Sequence, residues 1–374
     1  LMTIDAAPVA PMAYTDDFGE HGEVVAIGGE DGRVHIIKTL DWSEPDGWPF
    51  STFSYLVTHP VLFTTEAGGF VTVTDSGGRL RIVATDGAEP EGVSPIYLAD
   101  GERFLGNVVV GSDTTGMARR LYSLSGGDIP SPHVWMTGWD IEVGPNDSLY
   151  LSSSGEYIQR IPLTADEMEG RIFFVGGDID PGEPDDELYI LCERSGRVLL
   201  YGRRGQLSVR DREKRIVNQP ALVDLDGDSS LDLVYSDGNS IYAVAPSGAN
   251  LSGWPRRLSD LFPLTWEVVS NGSITASASP SGGLVLIGTD YGLLYALDGH
   301  GRPLGGFPRK ISRALDSNID ILPRPDGIGI LYTDGDYVRW RSLPSNARIG
   351  ENDWSTAWGG LSRRAYAAPS EGWI

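Results

Sequence analysis

Five oxygen-bearing residues between positions 224 and 232 have the spacing of a cation-binding loop. In Asp224-Leu-Asp-Gly-Asp-Ser-Ser-Leu-Asp232 the acids occupy loop positions 1, 3, 5 and 9, and the residue at position 7 can offer its backbone carbonyl. Because alternate residues of a tightly curled loop point inward, these oxygens can converge on one ion. Ca²⁺ takes about six to eight hard oxygen ligands in flexible geometry. The loop therefore predicts a calcium site made by Asp224, Asp226, Asp228, Ser230 and Asp232, and the alternative is a solvated acidic turn.

A second acidic segment lies about one repeat earlier in the chain. It runs Asp178-Ile-Asp-Pro-Gly-Glu-Pro-Asp-Asp-Glu187, with enough carboxylates for a cation but one extra residue and two prolines. This segment is a weaker candidate site. Its ligands would be Asp178, Asp180, Glu183, Asp185 and Glu187.

Residues that often perform catalysis form no recognisable motif in this chain. The five histidines (His21, His35, His59, His133 and His300) are scattered without metal-ligand spacing. Neither a nucleophile elbow nor a phosphate-binding loop is present. Cys192 is the single cysteine, so no intramolecular disulfide can form. Carboxylate pairs are so common in an acidic chain that no one pair indicates acid–base catalysis. The sequence therefore predicts a protein that is not an enzyme.

The charge balance excludes several classes of partner. Asp and Glu number 52 against 29 Lys and Arg, for a formal net charge of −23. Such a surface repels the phosphates of nucleic acids and the head groups of anionic lipids. No run of about 18 apolar residues occurs, so no membrane-spanning helix is predicted. We expect neither nucleic acid binding nor membrane insertion.

The elements that must position the acidic loop are repeated β-hairpins. Eight times an apolar β run meets a Gly-bearing turn and a second apolar β run follows. Glycine supplies the positive φ that a tight hairpin turn needs. The predicted pairs are 24–28 with 33–37, 70–74 with 79–83, 108–111 with 120–124, 149–151 with 157–161, 188–191 with 198–201, 231–235 with 241–244, 284–287 with 293–297 and 328–332 with 337–340.

This repeat predicts an all-β chain folded as a single β-propeller. The turn glycines recur every 38 to 54 residues, close to the period of propeller blades of about 40–50 residues. A pair of β-sandwiches is the alternative, because sandwiches also contain short, regularly spaced strands. We expect eight four-stranded blades, with seven as the alternative because the third and fourth units are short. The predicted blades are 1–56, 57–98, 99–138, 139–170, 171–217, 218–270, 271–316 and 317–374.

A second motif follows three of the hairpins. Gly47-Trp48-Pro49, Gly253-Trp254-Pro255 and Gly306-Phe307-Pro308 each precede a predicted outer strand. A large aromatic residue there can cover the gap between blades, and proline tolerates an edge without a ladder donor. We expect these aromatic residues to pack between blades. The alternative is an exposed platform for sugars.

The chain resembles the FG-GAP/VCBS-type repeat propellers of secreted and cell-surface proteins, whose blades are similar to those of the integrin head and of quinoproteins. The residues that carry the resemblance are 220–234 with the acidic loop, Ile241-Tyr-Ala243 and Gly253-Trp-Pro255. The match is specific over the sixth and seventh predicted blades and weak elsewhere. In this family the Asp-rich loop of a blade holds a structural Ca²⁺, which implies Asp224, Asp226, Asp228 and Asp232 as side-chain ligands here.

The resemblance implies a non-catalytic propeller that is extracellular, displayed on the cell surface or periplasmic. Its loops on one face of the ring would bind a protein or a carbohydrate ligand. One alternative is an enzyme of the polysaccharide-lyase or quinoprotein kind. Another is a scaffold subunit of a cell-envelope assembly.

Overall fold

The computed structural model describes most of the chain in short, continuous stretches. The described residues are 13–15, 17–58, 60–112, 117–127, 132–153, 158–179, 186–202, 205–210, 214–261, 274–277, 283–289, 291–310, 319–324, 327–334 and 337–343. They divide into two compact units whose boundary falls between Phe174 and Val175, inside the strand Ile172–Gly177, whose sheet belongs to the second unit.

The first unit contains three antiparallel sheets, numbered along the chain. Sheet 1 has the strands β1 (Ala13–Thr15), β2 (Val24–Gly28), β3 (Arg33–Lys38) and β4 (Phe50–Ser51). Sheet 2 has β5 (Val61–Thr65), β6 (Gly68–Asp75), β7 (Arg79–Ala84) and β8 (Ile96–Tyr97). Sheet 3 has β9 (Glu102–Phe104), β10 (Val109–Ser112), β11 (Ala118–Gly127), β12 (His133–Val143), β13 (Leu149–Ser153) and β14 (Gln159–Ile161).

The second unit repeats the four-stranded pattern. Sheet 4 has β15 (Ile172–Gly177), β16 (Glu187–Cys192), β17 (Val198–Gly202) and β18 (Gly205–Arg210), and sheet 5 has β19 (Ala221–Val223), β20 (Asp232–Ser236), β21 (Ser240–Val244) and β22 (Arg256–Arg257). Sheet 6 has β23 (Ile274–Ser277), β24 (Leu284–Gly288), β25 (Leu293–Asp298) and β26 (Arg309–Lys310), and sheet 7 has β27 (Ile319–Arg324), β28 (Gly327–Asp334) and β29 (Tyr337–Leu343).

Helices are few and short in the described residues. They are the α-helices α1 (Ala165–Glu169) and α2 (Leu258–Leu261) and the 3-10 helices Gly19–His21 and Pro145–Asp147. Helix α1 begins with a capping box, in which the Thr164 hydroxyl accepts from the Glu167 N–H and the Glu167 carboxylate accepts from the Thr164 N–H. No helix in this part of the chain is both long and apolar enough to cross a membrane.

Central strands of sheets 1, 4, 5 and 6 are buried on both faces, which explains their continuous apolar sequences. Every residue of β2, β16, β20, β21 and β24 is buried. Sheets 1 and 2 share a core in which Phe18, Ile36 and Val73 are fully buried, and sheets 6 and 7 share a second one around Leu286 and Tyr332. A strand covered on both faces favours unbroken runs of β-branched and aromatic residues rather than alternation.

Seven of the eight predicted hairpins are confirmed by strand pairing. The predicted pairing of 149–151 with 157–161 is wrong. Strands β13 and β14 do not pair with each other, because both pair with the same edge of β12, one after the other. At 11 residues β12 is long enough to take two short partners. The segments predicted as the third and fourth blades therefore share sheet 3, and the blade count and boundaries stay predictions.

The aromatic residue of the Gly-Trp-Pro motif packs against the following sheet, as we expected. Trp48 lies before β4 and is 8% exposed, and its Nε1 donates to the carbonyl oxygen of Thr85 beyond β7, at 2.8 Å. Trp254 lies before β22 and is 6% exposed, and its Nε1 donates to the carbonyl oxygen of Gly299 beyond β25, at 2.9 Å. Phe307 packs against the core of sheets 6 and 7. The motif thus latches one sheet to the next in each unit.

Candidate metal centre

The acidic loop connects the first two strands of sheet 5. Asp224 directly follows β19, and Asp232 is the first residue of β20, paired with Val223 across the hairpin. Both aspartates are buried, at 6% and 1% exposure, whereas Asp226 in the middle of the loop is exposed. The strand ends therefore fix two carboxylates under a third that remains accessible from solvent.

Hydrogen bonds from the backbone to the carboxylates curl the loop. Oδ1 of Asp224 accepts from the N–H of Gly227 at 2.7 Å, and its Oδ2 accepts from the N–H of Ser229 at 3.1 Å. Gly227 has a φ of +83° and Ser229 a φ of +71°. Serine at the sixth loop position thus takes the left-handed conformation that glycine usually supplies. Asp224 is the residue around which the loop folds.

Asp232 ties the start of β20 back to the loop. Its Oδ2 accepts from the N–H of Leu225 at 3.0 Å, and the side chain of Leu225 is buried. Sheet 4 repeats this arrangement, because Oε2 of Glu187, the first residue of β16, accepts from the N–H of Ile179 at 2.9 Å. A buried apolar residue after the first aspartate, in Asp178-Ile179 and Asp224-Leu225, is the sequence signal for this contact.

Three of the predicted ligands converge in the structure. Asp224, Asp226 and Asp232 each place one carboxylate oxygen within 4.8 Å of the other two. Asp228 lies outside this group, and its Oδ1 accepts from the N–H of Ser230 at 2.8 Å. Among the described residues no other group of three or more His, Cys, Asp or Glu side chains converges in this way.

Burial and mutual repulsion make it unfavourable for all three carboxylates of the cluster to be ionised together. Burial raises the pKa of Asp232 to about 8; the hydrogen bond from Leu225 opposes this shift, and the neighbouring carboxylates of Asp226, Asp228 and Asp224 add to it. Burial, followed by the charge of Asp228, also raises the pKa of Asp226. A bound cation would favour the ionised forms of both groups.

The donor set fits a hard divalent cation. All the converging atoms are carboxylate oxygens, the ligands that Ca²⁺ and Mg²⁺ prefer. Ca²⁺–oxygen distances of about 2.3–2.6 Å allow two ligand oxygens to lie up to about 5 Å apart, which matches the observed spacing. Asp224, Asp226 and Asp232 can therefore hold Ca²⁺ between them, with the remaining ligand positions open to water or to the backbone.

The weaker second site is described only at its ends. Asp178 and Glu187 lie among the described residues, and Glu187 is almost fully buried. Asp180, Glu183 and Asp185 lie outside the described residues. This site stays a prediction.

Comparisons with solved structures identify the fold. No protein-family model matches the chain, and no curated protein matches it. Among solved structures it is similar to BBS1N in complex with ARL6DN, at 12% identity and a TM-score of 0.57, over 93% of this chain and 98% of that one. It is similar to the Dos1 propeller at 10% identity and a TM-score of 0.54, over 93% and 84%. It is also similar to streptogramin B lyase at 9% identity and a TM-score of 0.52, over 91% and 96%. The chain therefore has a β-propeller fold.

Proposed function

We propose that this chain is a non-catalytic β-propeller that binds a protein or a carbohydrate ligand and carries a structural Ca²⁺ in the loop 224–232. Its blades would belong to the FG-GAP/VCBS type, in a protein that is extracellular, displayed on the cell surface or periplasmic. The observation that carries the calcium part is the convergence of the Asp224, Asp226 and Asp232 carboxylates within 4.8 Å.

Calcium at this loop would act on the fold rather than on a substrate. Asp224 ends one strand, Asp232 begins the next and Asp226 lies between them, so one ion would join both strand ends to the loop. The ion would also offset the burial and the mutual repulsion that raise the pKa values of Asp226 and Asp232. The binding energy of the ion then adds to the folding free energy.

The fold supports a role in binding, and the contacts of the histidines support the non-catalytic part of the proposal. One similar structure is a complex of BBS1N with ARL6DN, so that propeller has a protein partner. Three of the four described histidines have separate side-chain contacts: His21 with the Thr85 carbonyl, His35 with Glu44, and His133 with Glu102. None of these contacts brings a histidine to a serine or cysteine nucleophile. Similarity to streptogramin B lyase is a similarity of fold alone.

A thermal melt tests the calcium site. The melting temperature is measured in excess EDTA and in millimolar Ca²⁺, for the wild type, Asp226→Ala and Asp41→Ala. Asp41 is the matched control, because its Oδ1 accepts from the backbone N–H and the hydroxyl of Ser43 in an exposed turn after β3 and it is not one of the three converging carboxylates. Ca²⁺ at a hundred times its dissociation constant stabilises the fold by about 2.7 kcal/mol. We expect this increment in the wild type and Asp41→Ala and its loss in Asp226→Ala; no increment in the wild type would refute the site.

The binding role is tested separately on the calcium-loaded protein. A phage library of random 12-residue peptides and an array of glycans are both screened. Binders from either screen with dissociation constants in the micromolar range support the role. A protein that gains stability from Ca²⁺ but binds neither class would keep the metal site and lose the binding function.

A further inference from the structure

An extended segment between sheets 1 and 2 presents large apolar side chains to solvent. Burial alternates along residues 52–58, so that Thr52 and Thr58 face inward and every second residue from position 53 faces outward. The outward residues are Phe53, Tyr55 and Val57, with exposures of 89%, 74% and 49%. We call these three residues the apolar strip. Scattered exposed apolar residues are ordinary, but three in one extended segment form a surface feature.

The backbone of the strip is fixed to sheet 2. The carbonyl oxygen of Tyr55 accepts from the N–H of Ser76 at 2.8 Å, and the N–H of Val57 donates to the carbonyl oxygen of Thr74 at 2.9 Å. Phe53 has a φ of +57°, a conformation that costs about 1–2 kcal/mol for a residue with a side chain. The fold thus holds this phenyl ring in solvent at a cost to backbone energy, which points to a role outside folding.

Two arginines, Arg81 buried and Arg79 partly buried, hold the inner side of the same segment. Arg79 donates to the Ser54 hydroxyl at 2.8 Å and to the Thr52 carbonyl at 3.2 Å, and Arg81 donates to the same carbonyl at 3.3 Å. Both guanidinium groups pair with Asp75, whose side chain is fully buried. The strip is therefore pre-organised, and a ligand that docks there would lose little binding energy to ordering it.

The charge beside the strip is negative. Thr52 donates through its hydroxyl to the carbonyl of Gly32 at 2.8 Å, which places the exposed turn residues Glu30 and Asp31 next to the segment. Asp31 is paired with the exposed Arg33 at 3.5 Å, so the two acids leave one net negative charge there. The two guanidinium groups on the inner side of the segment are already neutralised by the carboxylates of Asp75 and Glu89. Residues 17–104 contain fifteen Asp or Glu against five Lys or Arg. A partner at this surface would meet aromatic rings with carboxylates beside them.

We propose that the apolar strip is the docking surface for an extended, cationic segment of a partner protein. Arginine and lysine side chains can stack on the Phe53 and Tyr55 rings and pair with Glu30 and Asp31. The same charge disfavours a nucleic acid or an anionic membrane, and the net charge of −23 disfavours a second copy of this chain. This inference rests on the proposed binding function and names its partner class.

Peptides selected from the random 12-residue library on the calcium-loaded wild type are the probe. Their dissociation constants are measured by fluorescence polarisation on the wild type, on Phe53→Ser/Tyr55→Ser, on Glu30→Lys/Asp31→Lys and on Leu40→Ser. Leu40 is the control, because it is 94% exposed and lies beyond the opposite end of β3. The other four replaced residues (Phe53, Tyr55, Glu30 and Asp31) are exposed as well. Thermal melts check that each variant is folded.

We expect the selected peptides to be rich in Arg and Lys. Binding should weaken by about tenfold or more in Phe53→Ser/Tyr55→Ser, should weaken in the Lys variant and at higher salt, and should stay unchanged in Leu40→Ser. Peptides whose binding ignores both double variants would overturn the strip but keep the binding function. The proposal is also overturned if the protein binds a glycan through Phe53 and Tyr55, or if sedimentation shows self-association that depends on these two residues. Either result would assign the strip to another occupant. The absence of any peptide binder overturns the proposal too, and the absence of any glycan binder as well removes the binding function.

Discussion

Replacing Gly253 by alanine tests whether the Gly-Trp-Pro motif latches sheet 5 to sheet 6. Gly253 has a φ of +91°, and a Cβ at this position would overlap the carbonyl oxygen of His300 in the turn after β25. The neighbouring Trp254 donates to Gly299 of the same turn at 2.9 Å. Gly248 is a matched control in the same sheet, with a φ of +83° and no described atom within 4 Å of the position that a Cβ would take.

The two alanine variants differ in one physical respect, the contact with the turn. Gly248→Ala has only the cost of a left-handed alanine, about 1 kcal/mol. Gly253→Ala adds the overlap, about 1–2 kcal/mol, and a weakened buried hydrogen bond from Trp254, about 1 kcal/mol. For a unit of about 190 residues each kcal/mol lowers the melting temperature by about 3 °C. We expect a decrease of about 3 °C for Gly248→Ala and about 10 °C for Gly253→Ala.

Differential scanning calorimetry is the assay, because it resolves two transitions where the two units unfold separately. The same comparison applies to the first unit, in which a Cβ at Gly47 would overlap the carbonyl oxygen of Asp86 while one at Gly92 meets no described atom within 4 Å. Gly253→Ala and Gly248→Ala melting within about 2 °C of each other would refute the latch. The aromatic residue would then merely cover the sheet edge.

Three further predictions concern buried polar groups. The folded-state pKa of Asp232 is raised to about 8 from an ordinary 3.8, so its protonated form stabilises the fold at low pH and this contribution is lost between about pH 4 and pH 8. In EDTA the wild type should therefore lose more stability from pH 5 to pH 8.5 than Asp232→Asn does. Ca²⁺ should remove this difference between the two proteins. Asp75→Ala removes the buried carboxylate that Arg79 and Arg81 share, and although Arg81 keeps Glu89 as a partner, the change should cost about 3 kcal/mol in urea unfolding, whereas Asp31→Ala, which breaks an exposed pair, should cost under about 1 kcal/mol. Tyr189→Phe removes a buried hydroxyl that has no hydrogen-bond partner among the described residues and should raise the free energy of unfolding in urea by about 1 kcal/mol. Tyr242→Phe removes the hydrogen bond that the Tyr242 hydroxyl donates to the Asp237 carboxylate and should lower the free energy of unfolding in the same assay.

The local hairpins could be predicted from the sequence because their signals are short-range. An apolar β run, a turn glycine and a second apolar run lie within about 15 residues, and seven of eight such predictions are confirmed. The exception, 149–151 with 157–161, failed because β12 offered both strands a longer edge. Residues typical of turns flank the segment 133–143 at 126–132 and 144–147, but the prediction did not include this segment as a strand, so its competition for partners was missed.

The acidic loop was predictable in part for the same reason. The spacing of Asp224, Asp226 and Asp232 indicated convergence, and their oxygens do lie together. The sequence could not show that Asp228 caps the Ser230 N–H instead. Which carboxylates turn inward depends on backbone hydrogen bonds within the loop, and these depend on the left-handed conformation of Ser229.

The sequence by itself determined the all-β class, the hairpin repeat, the excess of negative charge and the position of the acidic loop, because each is a property of composition or of neighbours along the chain. The tertiary structure decided that β13 and β14 share one edge of β12, because the long strand offered both a partner. It also decided that Trp48 and Trp254 latch neighbouring sheets, and that Phe53, Tyr55 and Val57 lie in solvent above Arg79 and Arg81. The latch and the exposed segment depend on contacts between residues 25 to 45 positions apart, such as Arg79 with Ser54 and Trp254 with Gly299. Only the packing of one sheet on the next brings such residues together.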